Sequence, residues 1–178
     1  MADLRKPIAG LVAGAALLAA LVGFEGQTTK AVIPVPGDVP TICNGTTRYP
    51  DGRPVKLGDT ATPEQCESWL RINVSKFEGA IKKCVKVPLA QYEYDAYVSL
   101  AYNIGTHAFC GSSIPKKLNR KDYQAACETI LEFDCGPATE ATRANPGGKC
   151  YRTDKPLRQI KGLTKRRFHE YKMCIGER

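Results

Sequence analysis

The sequence predicts an α+β fold that is mostly helical, with one small antiparallel β lobe near the N-terminus. Residues 28–54 alternate short β-branched runs with the turn sequences PGD, NG and PDG, which is typical of antiparallel strands joined by tight turns. From residue 62 onward, several segments carry apolar residues at helical spacing. A chain of 178 residues favours one such domain with a sizeable core, because domains typically hold about 100–200 residues.

Five helices are predicted after the β lobe. Thr62, Pro63 and Gln65 form a helix-start signal, because Thr is a good N-cap, Pro suits the first helical position, and Gln three residues after the cap can close a capping box. Gly105 is the expected stop of the second and most apolar helix. The predicted helical segments are 63–84, 92–104, 114–118, 123–133 and 163–174, and residues 137–148 are predicted to be a loop.

The N-terminal 24 residues differ from the rest. Arg5 and Lys6 precede residues 8–24, IAGLVAGAALLAALVGF. None of these 17 residues is charged. As one helix these residues would span roughly 26 Å, which is slightly less than the ~30 Å hydrocarbon core of a bilayer. Ala and Gly fill nine of the 17 positions and contribute little transfer free energy. Three alternatives stay open: an anchor that can leave the bilayer, which we favour, a cleaved secretory signal, and a permanent anchor.

The charge of the chain suggests an acidic partner. Its formal net charge is +8, from 26 Lys and Arg against 18 Asp and Glu, which fits nucleic acid, phospholipid headgroups or bacterial cell-wall polymers. The basic residues are spread along the chain and form no nucleic-acid-binding motif, so we expect no nucleic acid. The run at 161–167 is expected to be a solvated cationic face.

All eight cysteines lie after residue 42. An even number confined to the segment that would be exported favours disulfides formed in an oxidising compartment, over free buried thiols or a metal site. A metal site is disfavoured because there is no CxxC pair, and His107 and His169 lack ligand spacing. We expect neither a metal nor a cofactor. The best single guess for a disulfide joins Cys135 to Cys150 around the predicted loop.

Three blocks of sequence, in order, carry a family resemblance. They are FEG at 24–26 with PTICNGTT at 40–47, then SLAYNIGTHAFCGSS at 99–113 with KLNRKDYQAAC at 117–127, and finally KGLTKRR at 161–167. Together they resemble the phage-type lysozymes of glycoside hydrolase family 24, which often read FEG…WTIGYGHT, and among these the signal-anchor-release endolysins of bacteriophages. The resemblance implies a lysozyme-like fold with the β-hairpin lobe beside the active-site cleft. It also implies hydrolysis of the β-1,4 bond between N-acetylmuramic acid and N-acetylglucosamine in peptidoglycan.

The resemblance places the catalytic acid at Glu25. Glycoside hydrolysis needs one protonated carboxyl group to assist the leaving oxygen, and commonly a second, ionised one. Desolvation at the end of an apolar helix is expected to raise the pKa of Glu25 and to favour its acid form. The alternative is that Glu25 merely ends a membrane segment at the interface.

The second carboxylate departs from the family pattern. The family usually has an Asp nine residues after the Glu and a Thr six residues after that Asp, but positions 34 and 35 are Pro and Val here. Asp38 is the nearest acid and is the candidate, its alternative being a turn residue that bonds its own backbone. Thr41 matches the family's hairpin Thr, which helps to hold the attacking water, and otherwise is an ordinary strand residue. Arg166 and Arg167 could contact cell-wall anions or brace the fold.

The anchor and the acid together suggest a control mechanism. Residues 1–24 are expected to form a signal-anchor-release segment and residues 25–178 the catalytic domain. Anchored in the host inner membrane, the segment would hold Glu25 away from the hairpin, and release into the periplasm would bring it into the cleft. No cysteine lies in residues 1–42, which implies control by refolding and not by disulfide exchange. We expect a monomer, and the competing hypothesis is a non-catalytic, disulfide-stapled envelope or cell-wall binding protein.

Overall fold

The computed structural model describes residues 4–26, 28–34, 37–137 and 157–177. The helices among these residues are α1 (Ala15–Glu25), α2 (Pro63–Cys84), α3 (Gln91–Ile104), α4 (Thr106–Gly111), α5 (Ser113–Asn119), α6 (Tyr123–Thr129) and α7 (Lys161–Cys174), with 3-10 helices at Ile8–Gly10 and Ile130–Phe133. The strands are β1 (Thr28–Val32), β2 (Thr41–Cys43), β3 (Cys135–Pro137) and β4 (Leu157–Gln159). The predicted α+β fold, mostly helical with a small antiparallel lobe, is confirmed.

The described residues divide into two compact units. One is Val12–Glu78, and the other contains the residues up to Leu11 together with those from Gly79 onward. The boundary falls within α2.

The β lobe lies in the unit Val12–Glu78. Strands β1 and β2 pair antiparallel, with Thr28 opposite Cys43 and Val32 opposite Thr41, and the register is irregular between these two pairs. On the other edge of β1, Lys30 forms a bridge with Thr60. The core of this lobe consists of buried apolar side chains, namely Ala31, Ile42, Cys43, Val55 and Cys66. A disulfide between Cys43 and Cys66 ties the end of β2 to the first turns of α2.

The start of α2 is the capping box that the sequence predicted. The Thr62 N–H donates to Oε1 of Gln65 at 2.8 Å, and the Gln65 N–H donates to Oγ1 of Thr62 at 3.2 Å. Two of the first backbone N–H groups of the helix region, which have no partner inside the helix, are thereby satisfied.

In the other unit, α3 packs against the C-terminal helix α7. The core of this unit contains completely buried side chains, among them Tyr94, Tyr97, Leu100, Phe109, Ile114, Leu118 and Ile130. Disulfides Cys84–Cys110 and Cys127–Cys174 staple this unit, and Cys135 is also disulfide-bonded. The expectation of disulfides is confirmed, whereas Cys150, the predicted partner of Cys135, lies outside the described residues, as does most of the predicted loop 137–148.

The N-terminal apolar segment is not the single helix that its length calculation assumed. Ile8–Gly10 is a short 3-10 helix, Leu11 to Gly14 is non-helical, and α1 begins only at Ala15. Tertiary hydrogen bonds satisfy the backbone at this break, because Nζ of Lys82 donates to the Leu11 carbonyl at 2.6 Å and the Ala13 N–H donates to Oε1 of Glu78 at 2.7 Å. Within the described residues, no helix combines the length and the apolar character needed to cross a membrane.

Candidate active site

Glu25 is the last residue of α1, and the helix ends directly after it. Gly26 has a φ of 71°, in the left-handed region that glycine tolerates, and it ends the helix. Strand β1 begins two residues later at Thr28. The backbone of Glu25 therefore lies where α1 meets the β-hairpin, as the FEG motif predicted.

The two other predicted site residues lie on the hairpin itself. Thr41 is the first residue of β2 and faces Val32 across the ladder, with its hydroxyl donating a weak bond to the Val32 carbonyl at 3.4 Å. Asp38 lies in the exposed connection between the strands, and its Oδ1 accepts the Val39 N–H at 2.8 Å. This bond is the turn role that competes with a catalytic role for Asp38. Asp38 is the one acidic residue between Glu25 and Asp51 in the sequence.

A buried amide joins the end of α1 to the end of β2. Asn44 is 3 % exposed, and its Nδ2 donates to the carbonyl oxygen of Gly26 at 2.7 Å. The sequence places Asn44 in the predicted NG turn and assigns it no further role. The turn is confirmed, but the contact was missed; the one available signal was that the family pattern quoted above has Tyr at this position.

An open groove of about 760 Å³ lies elsewhere in the same unit. The rings of Tyr49 and Trp69 meet edge-on there, with centroids 5.0 Å apart. Asp59 in this groove accepts hydrogen bonds from the Tyr49 hydroxyl at 2.8 Å and from the Lys56 N–H at 2.8 Å. The bond from Lys56, and then the bond from Tyr49, lowers the pKa of Asp59. Burial, and then the bond to Asp59, raises the pKa of Tyr49. Asp59 therefore acts within the lobe as the hydrogen-bond acceptor that joins the Lys56 backbone to the Tyr49 side chain.

Arg166 and Arg167 brace the fold. Both are buried, and Glu170, which is completely buried, lies 3.2 Å from Nε of Arg166 and 3.1 Å from Nη1 of Arg167. Arg167 also donates to Oδ1 of Asn103. Burial lowers the pKa of Arg167 to about 10, although Glu170 opposes this shift. The expectation of a solvated cationic face is thus wrong for these two residues, since both side chains are buried beside Glu170.

No group of three or more His, Cys, Asp or Glu side chains that could hold a metal ion occurs within the described part of the chain.

Known proteins match the chain across most of its length. The phage lysozyme family model matches residues 22–170. The SAR-endolysin of Pseudomonas phage phiKMV is 36 % identical over 97 % of this chain and 93 % of its own length. The endolysin of Salmonella phage P22 is 43 % identical over 60 % of this chain and 73 % of its own length. Among solved structures, the endolysin from Escherichia coli O157:H7 phage FAHEc1 superimposes with a TM-score of 0.78 at 30 % identity, covering 96 % of each chain.

The fold and these similarities define a lysozyme-type glycoside hydrolase. The chain belongs to the phage lysozyme family. It is an endolysin, an enzyme that degrades peptidoglycan, and the alternative of a non-catalytic binding protein is not favoured.

Proposed function

We propose that this endolysin hydrolyses the β-1,4 bond between N-acetylmuramic acid and N-acetylglucosamine, with Glu25 as the general acid. The observation that carries the proposal is the position of Glu25 at the C-terminal end of α1, directly before the hairpin. The free carbonyl groups at a helix C-terminus carry partial negative charge. This partial charge repels a carboxylate at the helix end. A carboxyl group at the C-terminus of α1 is therefore favoured in its protonated, proton-donating form.

Asp38 and Thr41 are proposed to act on the water that attacks the sugar. Asp38 is the one acid available in the hairpin sequence, and its exposed carboxylate retains an oxygen that can accept a proton from water. Thr41 lies on the adjoining strand end, and its hydroxyl makes only a long bond at 3.4 Å, which water can replace. We therefore assign Asp38 as general base and Thr41 as the residue that orients the water.

Product analysis tests the reaction. Purified sacculi are digested with the full chain, the products are reduced with borohydride, and the reduced sugar is identified by mass spectrometry. We expect reduced N-acetylmuramic acid, which is formed when water adds at the muramic acid anomeric carbon. Reduced N-acetylglucosamine, or no soluble product, would refute the assignment.

Asp38→Asn is expected to lower the rate at least 10²-fold, and a parental rate would remove Asp38 from the mechanism.

We further propose that residues 1–24 form a releasable membrane anchor and residues 25–178 the catalytic domain. Relatives that are SAR-endolysins support this proposal. In the anchored chain, residues 8–24 cross the host inner membrane with Arg5 and Lys6 on the cytoplasmic side, as the positive-inside rule favours. The catalytic domain then faces the periplasm, where its disulfides form and its glycan substrate lies.

The folded chain can bury the apolar side chains of the released segment. Five of its apolar side chains are buried: Ile8, Leu11, Leu17, Leu18 and Leu21. Burial of this set is worth on the order of 10 kcal/mol, enough to compete with a bilayer segment in which nine of 17 residues are Ala or Gly.

Arg5 supports the same proposal from the other end of the segment. Its Nε donates to Oε2 of Glu93 at 3.0 Å and its Nη2 donates to Oε1 at 2.6 Å. Arg5 precedes the apolar segment, so in an anchored chain it lies across the bilayer from Glu93. The pair therefore belongs to the released state.

Cell fractionation tests the anchor. In cells expressing the chain with Glu25→Gln to prevent lysis, the protein should be in the membrane fraction before an uncoupler is added and in the periplasmic fraction afterwards. Replacing residues 1–24 by a cleavable signal should abolish the membrane fraction. Protein that is periplasmic from the start, or that stays in the membrane after the uncoupler, would contradict release.

A further inference from the structure

The side chain of Asn44 fixes the backbone next to Glu25, and we propose that Asn44 is a positioning residue for that acid. The inference rests on the proposed function, in which Glu25 donates the proton. It goes beyond it by assigning to a residue outside the predicted site the task of setting where that proton donor stands.

The contact lies one residue beyond Glu25. The Gly26 carbonyl follows the last helical residue, and Asn44 donates to it at 2.7 Å from a side chain that is 3 % exposed. Gly26 itself has a φ of 71° and is open to other conformations, since glycine has no Cβ. A bond at this carbonyl therefore restricts the short connection between α1 and the hairpin.

Asn44 can do this because the turn that carries it is firmly held. The backbones of Ile42 and Thr46 exchange two hydrogen bonds of 2.9 Å around it. Cys43, directly before Asn44, has a φ of 57°, which is unfavourable for a residue other than glycine and persists only where the surroundings hold it. The disulfide from Cys43 to Cys66 supplies such a hold.

The chemistry of the contact calls for an amide. A carbonyl oxygen accepts but cannot donate, so its partner must carry an N–H or O–H group. Asp at position 44 would have the same shape, but it would place an acceptor against an acceptor. Ala would remove the bond altogether. In either variant the end of α1 is free to shift, and a displacement of about 1 Å at a catalytic group costs on the order of 10²-fold in rate.

The experiment compares Asn44→Asp and Asn44→Ala with two controls in the purified full chain. Asn119→Ala is the control for the type of bond, because Nδ2 of the exposed Asn119 also donates to a backbone carbonyl, that of Cys84 at 3.0 Å, far along the chain from Glu25. Glu25→Gln reports on the proposed function. The kcat and KM values on soluble, uncross-linked glycan strands are measured at 25 °C and expressed per folded molecule, with the folded fraction taken from circular dichroism.

We expect both Asn44 variants to lose 10- to 100-fold in kcat with KM changed less than threefold, and Asn119→Ala to stay within twofold of the parent in kcat. Three results would overturn the proposal: a parental kcat in the Asn44 variants, a raised KM with unchanged kcat, or an equal loss in Asn119→Ala. If Glu25→Gln is inactive while the Asn44 variants match the parent, only the positioning role fails. If Glu25→Gln is active, the proposed function fails.

Discussion

The ion pair between Arg5 and Glu93 gives a quantitative prediction about the released state. Glu93 lies in the first turn of α3 with its side chain 3 % exposed, and one of its oxygens also accepts the Ala90 N–H at 2.8 Å. Arg5 is 28 % exposed, and its guanidinium carbon lies 3.6 Å from the ring centroid of Tyr123. Replacing Arg5 with Met removes the cation while keeping much of the side-chain volume, and it leaves a buried carboxylate with only its backbone bond.

The expected loss of stability follows from this burial. Removing one partner of a fully buried ion pair costs about 3–5 kcal/mol, because the remaining charge is uncompensated. The partial exposure of Arg5 lowers this range, while loss of the cation–π contact adds to it, so we expect about 2–4 kcal/mol for Arg5→Met. For a chain of this size each kcal/mol lowers Tm by about 2–4 °C, which gives a decrease of roughly 4–16 °C.

Thermal unfolding of the purified chain at pH 7, followed by circular dichroism, measures this loss. Arg71→Met is the control, because the Arg71–Glu67 pair has a similar distance, 2.7 Å, but its side chains are 56 % and 60 % exposed. Exposed pairs contribute about 0.2–1 kcal/mol, so Tm should fall by less than ~4 °C.

A second variant isolates the buried charge. Adding Glu93→Gln to Arg5→Met neutralises the carboxylate and keeps an acceptor for the Ala90 N–H, so the double variant should be more stable than Arg5→Met alone. A Tm for Arg5→Met equal to that of Arg71→Met would refute the reasoning, and so would a double variant less stable than Arg5→Met.

Two further predictions concern the β lobe. Replacing Cys43 and Cys66 together by Ala opens a loop with a sequence separation of 23, which should lower the free energy of unfolding by about 3 kcal/mol in urea titrations; a loss below ~1 kcal/mol would contradict this. Asp59→Asn should be less stable than the parent at pH 6, because bonds from Lys56 and Tyr49 hold the pKa of Asp59 below its usual value. A lowered carboxylate pKa contributes stability above the unfolded-state pKa and loses it as pH falls through the folded-state pKa, so the difference between the two proteins should shrink below about pH 4. A difference that grows on acidification would have the wrong sign.

Local signals predicted most of the secondary structure. The capping box at Thr62 and Gln65 and the stop at Gly105 act within a few residues, so they can be recognised in the sequence and are present in the structure. The six-residue helix α4 is not predicted, because it begins directly after Gly105, and a glycine there signals only the end of α3. Such a short helix offers too few turns for a periodic apolar pattern to be recognised.

Tertiary contacts account for what the sequence did not predict. The apolar segment 8–24 has no internal signal for a break near Leu11, since Lys82 and Glu78, which satisfy the backbone there, lie far along the chain. In the same way, Arg166 and Arg167 follow other charges in the sequence and suggest a solvated face. Their burial depends on Glu170 and on Asn103, and only packing of α7 against α3 brings Asn103 near.

The candidate site shows the same division. Motif spacing placed Glu25 at the end of a helix and Thr41 on a strand, and both placements hold. The contact between Asn44 and Gly26 joins residues 18 apart through a side chain to which no motif assigns a role. A buried amide of this kind can be recognised only once the hairpin has been folded against the helix end.

Glu25→Gln in the purified full chain tests the central claim most directly. Release of reducing sugar from purified peptidoglycan is measured for the parent, for Glu25→Gln and for Glu67→Gln, an exposed glutamate on α2. We expect Glu25→Gln to lose at least 10³-fold in rate, with an unchanged circular dichroism spectrum, and Glu67→Gln to match the parent. A Glu25→Gln protein that cleaves the glycan at the parental rate would contradict the account.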